Sequence, residues 1–227
     1  MVTAKQLQKL NNSAKKGCKG TQFDDVSAEF IPAEDLKIKW MRCGGTINFM
    51  VVDYLRDAPA AVQVDLFKTL LAKMGGDMDA EYSQRVIDYL TGEKFREMNV
   101  ETYLKRKEAY ITETQKARIA DSIARLDAKN LIPDNAEGLI IRASDRTTKP
   151  DQASVLMRVV LINPDVFNLN DDQFDAVLMH GILWASHRFA EKTADISEAV
   201  DAVMEAVDMQ DAYNKAVRMV CIRSDIY

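Results

Sequence analysis

The segment NPDVFNLNDDQFDAVLMHGILWASHRFA, from Asn163 to Ala190, combines a strand end, a helix start and a long apolar helix. Asn163-Pro164 ends the apolar stretch before it, because proline has no N–H to donate to a β-ladder. Asn170, with Gln173 three residues later, is typical of a helix N-cap. Nearly every residue from Phe174 to Ala185 is apolar, which predicts a helix buried on all sides.

Both histidines of the chain, His180 and His187, lie in this segment. His180 is inside the predicted helix and is followed by Gly181 and Trp184. A lone histidine on a buried helix is commonly a core residue with one ring nitrogen hydrogen-bonded to a carbonyl or a carboxylate. In the same simple interpretation, Trp184 fills space and Gly181 allows a neighbouring strand or helix to approach closely.

The run DAVLMHGILW also resembles the active-site helix of zinc metallopeptidases of the SprT/YgjP-like (zincin) group, which carries an HExxH motif. His180 stands at the position of the first zinc ligand, Gly181 replaces the glutamate and Trp184 replaces the second histidine. The resemblance implies an α+β, zincin-like fold that is rich in helix, with a small mixed or antiparallel sheet packed on the buried helix.

Gly181 and Trp184 lack the two chemical functions of the residues that they replace, the general base and the second zinc ligand. HExxH places two histidines on one helical face to bind zinc, and its glutamate is the general base. Glycine supplies no base, and the tryptophan N–H has no lone pair for a metal. His187 lies about 10 Å further along a helix axis than His180, too far to share one zinc with it. His187 and Glu191 have i,i+4 spacing, but they provide only two ligands.

Other segments also resemble archaeal SprT-like predicted metallopeptidases, in the part that precedes the catalytic core. These segments are INFMVVDYLRDAPAAV, EYSQRVIDYL and FREMNVETYLKRK. The resemblance covers Leu36 to Lys107 and Val155 to Ala190, close to half of the chain. It implies that the strand predicted at Val155 to Ile162 borders the active-site cleft and can pair with an extended peptide.

Composition narrows the classes of function. Hydrophobic residues make up 47% of the chain and charged residues 29%, as in an ordinary globular protein. The net charge of −5 argues against nucleic acid or an anionic membrane as a partner. No secretory signal and no run of eighteen apolar residues is found. Three widely spaced cysteines predict a reducing, cytoplasmic location and no disulfide framework.

Local patterns predict the remaining elements. We expect a short basic helix over residues 1–16, turns and a short helix over 23–37, and a β-hairpin over 36–52 that turns at Gly44-Gly45. A helix capped by Asp57 should end at Gly75-Gly76. Further predictions are a helix over 110–130, strands over 138–143 and 155–162, an exposed loop over 144–152, and one long last helix from Asp195. Residues 1–35 should form an N-terminal helical or irregular segment and 36–227 a single zincin-like domain.

Three hypotheses follow. In the first, the chain has lost catalysis, binds no cofactor and keeps a cleft for an unknown peptide or protein partner. In the second, His180 holds zinc with distant ligands, such as Glu198 or Asp201 from the next helix, or Cys18 or Cys221. In the third, the chain is an unrelated α/β interaction domain. A groove lined by charged residues is a further candidate, with members Arg142, Asp145, Arg146 and Arg158.

Overall fold

A computed structural model describes residues 2–15, 23–32, 38–77, 79–188, 191 and 193–224. Within these ranges the chain forms eight α-helices and two three-stranded sheets, so the predicted helix-rich α+β class is confirmed. Two compact units are present, Met1–Asn99 and Val100–Tyr227. The domain boundary predicted between residues 35 and 36 lies outside the described residues, and that division stays a prediction.

The first unit contains one sheet with strand order β1-β3-β2 and helices beside it. Strand β3 is central, parallel to β1 and antiparallel to β2. The elements, in order, are α1 (Ala4–Lys15), β1 (Asp25–Ile31), β2 (Lys39–Cys43), β3 (Thr46–Val52), α2 (Ala60–Met74) and α3 (Gln84–Thr91). Helix α4 (Glu93–Arg106) runs across the boundary of the two units.

The predicted hairpin is confirmed as β2 and β3, with Cys43 opposite Thr46. Gly44 has a φ of +58°, the conformation that glycine adopts without strain at the first turn position of a type II′ hairpin. Phe49 on β3 is fully buried, whereas all five β2 residues are exposed. Strand β2 is the edge strand of the sheet, and its side chains lie outside the core.

Two local predictions in the first unit are wrong. Strand β1 lies in the stretch predicted as turns and a short helix, because pairing with the distant β3 overrides the local pattern. The predicted Asp57 cap is absent: Pro59 occupies the N-cap of α2, and no side chain donates or accepts a capping hydrogen bond there. The predicted end of α2 is confirmed, since Gly75 N–H bonds to Leu71 O.

The second unit contains a sheet with strand order β4-β6-β5, packed on a buried helix. Strand β6 is central, parallel to β4 and antiparallel to β5. The elements, in order, are α5 (Glu113–Ala128), β4 (Ile140–Ala143), β5 (Asp151–Ser154), β6 (Val159–Ile162), α6 (Asp171–Ala185), α7 (Thr193–Ala206) and α8 (Gln210–Ser224). No helix among the described residues is long and apolar enough to cross a membrane.

The strand predicted over Val155 to Ile162 is only half correct. Its second half is β6, but its first half is the turn of a hairpin whose other strand is β5. Arg158 closes this turn with a φ of +52°. Its guanidinium donates to the carbonyls of Asn135 and Glu137, at 2.5 and 2.7 Å, which stabilises the turn. The predicted loop over 144–152 consequently ends inside β5.

The helix start at Asn170 is confirmed, because its Oδ1 accepts a hydrogen bond from the Gln173 backbone N–H at 2.9 Å. Helix α6 is buried over most of its length, as predicted, and forms the centre of the second core. The single long helix predicted after it is wrong. The chain forms α7 and α8 instead, and Asp208 breaks the helix with a φ of +58°.

Candidate functional site

His180 on α6 is held by a carboxylate from β5. Its Nδ1 lies 2.9 Å from Oδ2 of Asp151, and the exposed fraction is 14% for the His180 side chain and 2% for that of Asp151. The ring nitrogen is thus hydrogen-bonded to a carboxylate, as in the simple interpretation, but His180 is half-buried and lies outside the hydrophobic core. The local sequence pattern did not mark Asp151, which lies in the segment predicted as an exposed loop.

Tyr213 on α8 completes this arrangement. Its hydroxyl donates to Oδ1 of Asp151 at 3.1 Å, and its ring stacks on the His180 ring with centroids 4.0 Å apart and planes 17° apart. We call Asp151, His180 and Tyr213 the His180 cluster. It joins β5, α6 and α8 through one buried carboxylate, both of whose oxygens accept hydrogen bonds.

The Asp151 carboxylate also selects the tautomer of the neutral His180 imidazole. Because Asp151 accepts a hydrogen bond from Nδ1, neutral His180 carries its proton on Nδ1 and keeps the lone pair on Nε2. A carboxylate orients metal-binding and proton-transferring histidines in the same way. In the neutral imidazole, Nε2 is then the acceptor nitrogen, and the Trp184 ring centroid lies 6.3 Å from that of His180.

The sequence predicts that Gly181 allows a neighbouring strand or helix to approach α6 closely, and the structure confirms this. A Cβ atom at this position would lie 2.5 Å from Cγ1 of Val160 on β6 and 3.3 Å from Oδ2 of Asp151. The sheet thus occupies the space into which a side chain at position 181 would point. A glutamate has no room there unless the Val160 and Asp151 side chains move.

The donor set does not fit zinc. His180 offers one ring nitrogen, and Trp184 offers no lone pair. His187 Nδ1 lies 2.5 Å from Glu191 Oε2, so these two candidates form a pair with each other. In the ranges that the structure describes, no three His, Cys, Asp or Glu side chains are grouped as a metal site requires.

The more distant ligand candidates are not placed at His180. Glu198 and Asp201 are exposed residues of α7, and Tyr213 of α8 faces the imidazole instead. The side chains of Cys18 and Cys221 lie outside the described residues.

Three of the charged residues that the sequence suggested as the lining of a groove have other contacts. Arg142 donates to Ile141 O, Arg146 pairs with Glu108, and Arg158 stabilises the hairpin turn. We therefore do not assign these side chains to the His180 site.

Helix α6 is fixed to α5 by a second buried carboxylate. Asp175 accepts hydrogen bonds from Ser122 Oγ at 2.5 Å and from Arg125 Nε and Nη2 at 2.8 and 2.6 Å. The hydrogen bonds to Asp175 raise the pKa of the Arg125 guanidinium. Arg118 adds bonds to the carbonyls of Phe167 and Leu169 before the helix begins. These contacts fix α6 at its first turns.

Strand β5 has one edge without a partner strand. It pairs with β6, and no other strand within the described residues pairs with it. The Asn163 N–H bonds to Pro150 O, so Pro150 and Asn163 form a hydrogen-bonded pair. Such pairs alternate along antiparallel strands, so Gln152 also points its backbone groups toward β6. Asp151 and Ala153 therefore direct their N–H and C=O groups away from β6.

This geometry corrects the role that the resemblance gave to the strand over Val155 to Ile162. Strand β6 is paired on both sides and has no edge for a peptide. The edge that borders the His180 cluster belongs to β5, since β5 supplies Asp151.

Comparison with known proteins yields no relative: no family model, no curated protein and no solved structure matches the chain. The resemblance to SprT-like metallopeptidases stays a prediction.

Proposed function

We propose that this chain is a zincin-like protein without peptidase chemistry, which binds an extended segment of a protein partner along the edge of β5. One observation carries the proposal. The edge strand that borders helix α6 also supplies the carboxylate that orients His180. A segment added to β5 would lie beside the cluster that occupies the position of an HExxH site.

Two side-chain replacements support the loss of catalysis. At position 181 the space for a general base is filled by Val160 and by the Asp151 carboxylate. At position 184 an indole replaces a metal-binding imidazole. Binding does not need these groups, because hydrogen bonds from the backbone of an edge strand supply the affinity in β-augmentation. We place the protein in a reducing cytoplasm, as the cysteine usage predicts.

The test uses a displayed library of random peptides, selected on the full chain and measured by calorimetry. The Ala153→Pro variant removes one outward N–H but no hydrogen bond to β6, so selected peptides should bind it at least tenfold more weakly. Ala153→Ser keeps the N–H and should bind as the wild type does. Peptides that bind Ala153→Pro with unchanged affinity, or a selection that yields none, would contradict the proposal.

A second candidate function is an atypical zinc-dependent hydrolase centred on His180. The observation in its favour is the Asp151–His180 hydrogen bond, which leaves Nε2 as an oriented ligand. Metal content of untagged protein, measured by mass spectrometry after dialysis against a weak chelator, separates the two functions. About one zinc per chain, lost in His180→Ala, would replace our proposal with the hydrolase.

A further inference from the structure

Strand β2 in the first unit is an unusual edge. It pairs with β3 on one side, and no other strand in the described part of the chain pairs with it. Trp40 is 52% exposed and Met41 60% exposed, and all five residues of the strand are exposed. An edge that exposes large apolar side chains and unpaired backbone groups is a template for another strand.

The hairpin turn fixes which backbone groups of β2 are available. Cys43 and Thr46 flank a two-residue turn and are directly opposite, so they form the hydrogen-bonded pair that closes it. Hydrogen-bonded pairs alternate in an antiparallel ladder, so Met41 also directs its backbone groups toward β3. Trp40 and Arg42 therefore direct their N–H and C=O groups away from the sheet.

We propose that the occupant of this edge is β2 of a second copy of the chain, antiparallel to the first, with the two-fold axis at Met41. In this register, Trp40 of each copy exchanges backbone hydrogen bonds with Arg42 of the other. Met41 lies opposite Met41, and Lys39 lies opposite Cys43. All five residues of β2 have a strand residue opposite them.

Self-complementarity of the side chains selects this occupant and this register. Lys39 faces an uncharged thiol. Arg42, whose guanidinium lies 5.4 Å from the centroid of the Phe23 ring of its own chain, faces the uncharged Trp40 and not another cation. An axis at Arg42 would place two guanidinium groups directly opposite each other, which is destabilising. An axis at Trp40 would leave Arg42 and Cys43 with no β2 residue opposite them. The two-fold contact uses the β2 edge of each copy, which leaves no free β2 edge, so the assembly closes at two copies.

Disulfide trapping tests the register, because a contact between five-residue strands is small and reversible. In a Cys18→Ser, Cys43→Ser, Cys221→Ser background, Met41→Cys places two cysteines opposite each other in a non-hydrogen-bonded pair. Their Cα atoms would be about 4.5 Å apart, within disulfide range. We expect mild oxidation to give a covalent dimer.

The matched control keeps Cys43 as the single cysteine, with Cys18 and Cys221 replaced by serine. The two copies of Cys43 would be four residues out of register, about 13 Å apart, and should not form a disulfide. Absence of the Met41→Cys dimer, or equal cross-linking of the control, overturns the proposal.

A charge test in the otherwise wild-type chain uses sedimentation equilibrium. Trp40→Lys places a like charge opposite Arg42 twice per dimer, and should weaken association about tenfold. Trp40→Glu places an opposite charge there and should keep association near the wild-type value. If both variants weaken it equally, the contact is only an apolar one and the proposal fails. A wild-type chain that remains monomeric at every concentration also overturns it.

Discussion

At the scale of single residues, Gly181 allows a close packing contact between helix α6 and the second sheet. Without a Cβ, α6 lies close enough to the sheet for Asp151 to reach His180. The same approach removes the room for a glutamate. The residue that departs from HExxH in the sequence comparison thus also lies where the sheet comes close to the His180 cluster.

Gly181→Ala should destabilise the protein by about 1–3 kcal/mol, because the new methyl group overlaps Val160 Cγ1. In an uncrowded helix the same change would stabilise by about 1 kcal/mol, so the sign itself is diagnostic. Urea unfolding of the single variants and of Gly181→Ala/Val160→Ala measures the coupling. The double variant should recover part of the loss, and additive effects would show that the two positions are not in contact.

Trp184→His tests whether the His180 imidazole is positioned to bind zinc together with a second imidazole four residues later on α6. The variant would have imidazoles at i and i+4 on one face of α6, with His180 already oriented by Asp151. We expect it to bind Co²⁺ or Zn²⁺ in calorimetry, and we expect the wild type to show no stoichiometric binding under the same conditions. His180→Ala in the Trp184→His background should abolish the gain. Equal metal binding by the single and double variants would disprove the shared site.

At the scale of elements, local signals explain part of the structure. The cap at Asn170 and the turn at Gly44 depend on neighbouring residues, and both were predicted correctly. Strands β1 and β5 depend on partners far along the chain, and no local pattern marks them. The candidate site shows the same limit. The sequence marks His180 through its resemblance to HExxH, whereas Asp151 and Tyr213 come close to His180 only in the folded chain.

The break between α7 and α8 provides an element-scale prediction. Asp208 adopts a left-handed φ of +58°, which costs free energy for any residue with a Cβ. Asp208→Gly should therefore raise the free energy of unfolding by about 0.5–1 kcal/mol in urea titrations. Arg158→Gly is the contrasting variant: its φ is similar, but it also loses two hydrogen bonds to loop carbonyls and should destabilise. Destabilisation by Asp208→Gly would mean that its side chain holds the break.

At the scale of the whole molecule, the two compact units each have their own sheet and their own buried residues. Phe49 and Phe67 pack edge to face in the first unit, and Phe167 packs on Phe174 in the second. A core of its own allows a unit to unfold by its own cooperative transition. The candidate site lies wholly in the second unit, and the β2 edge lies wholly in the first.

Amide hydrogen exchange, followed by mass spectrometry over a series of low urea concentrations, should resolve this division. We expect peptides from α2 and β3 to share one opening free energy, and peptides from α6 and β6 to share another. Asp175→Ala should lower only the second value, because Asp175 joins α5 to α6 through Ser122 and Arg125. An equal fall in both sets of peptides would show that the chain unfolds as one cooperative unit. In that case a ligand that stabilises the β5 edge would also protect β2.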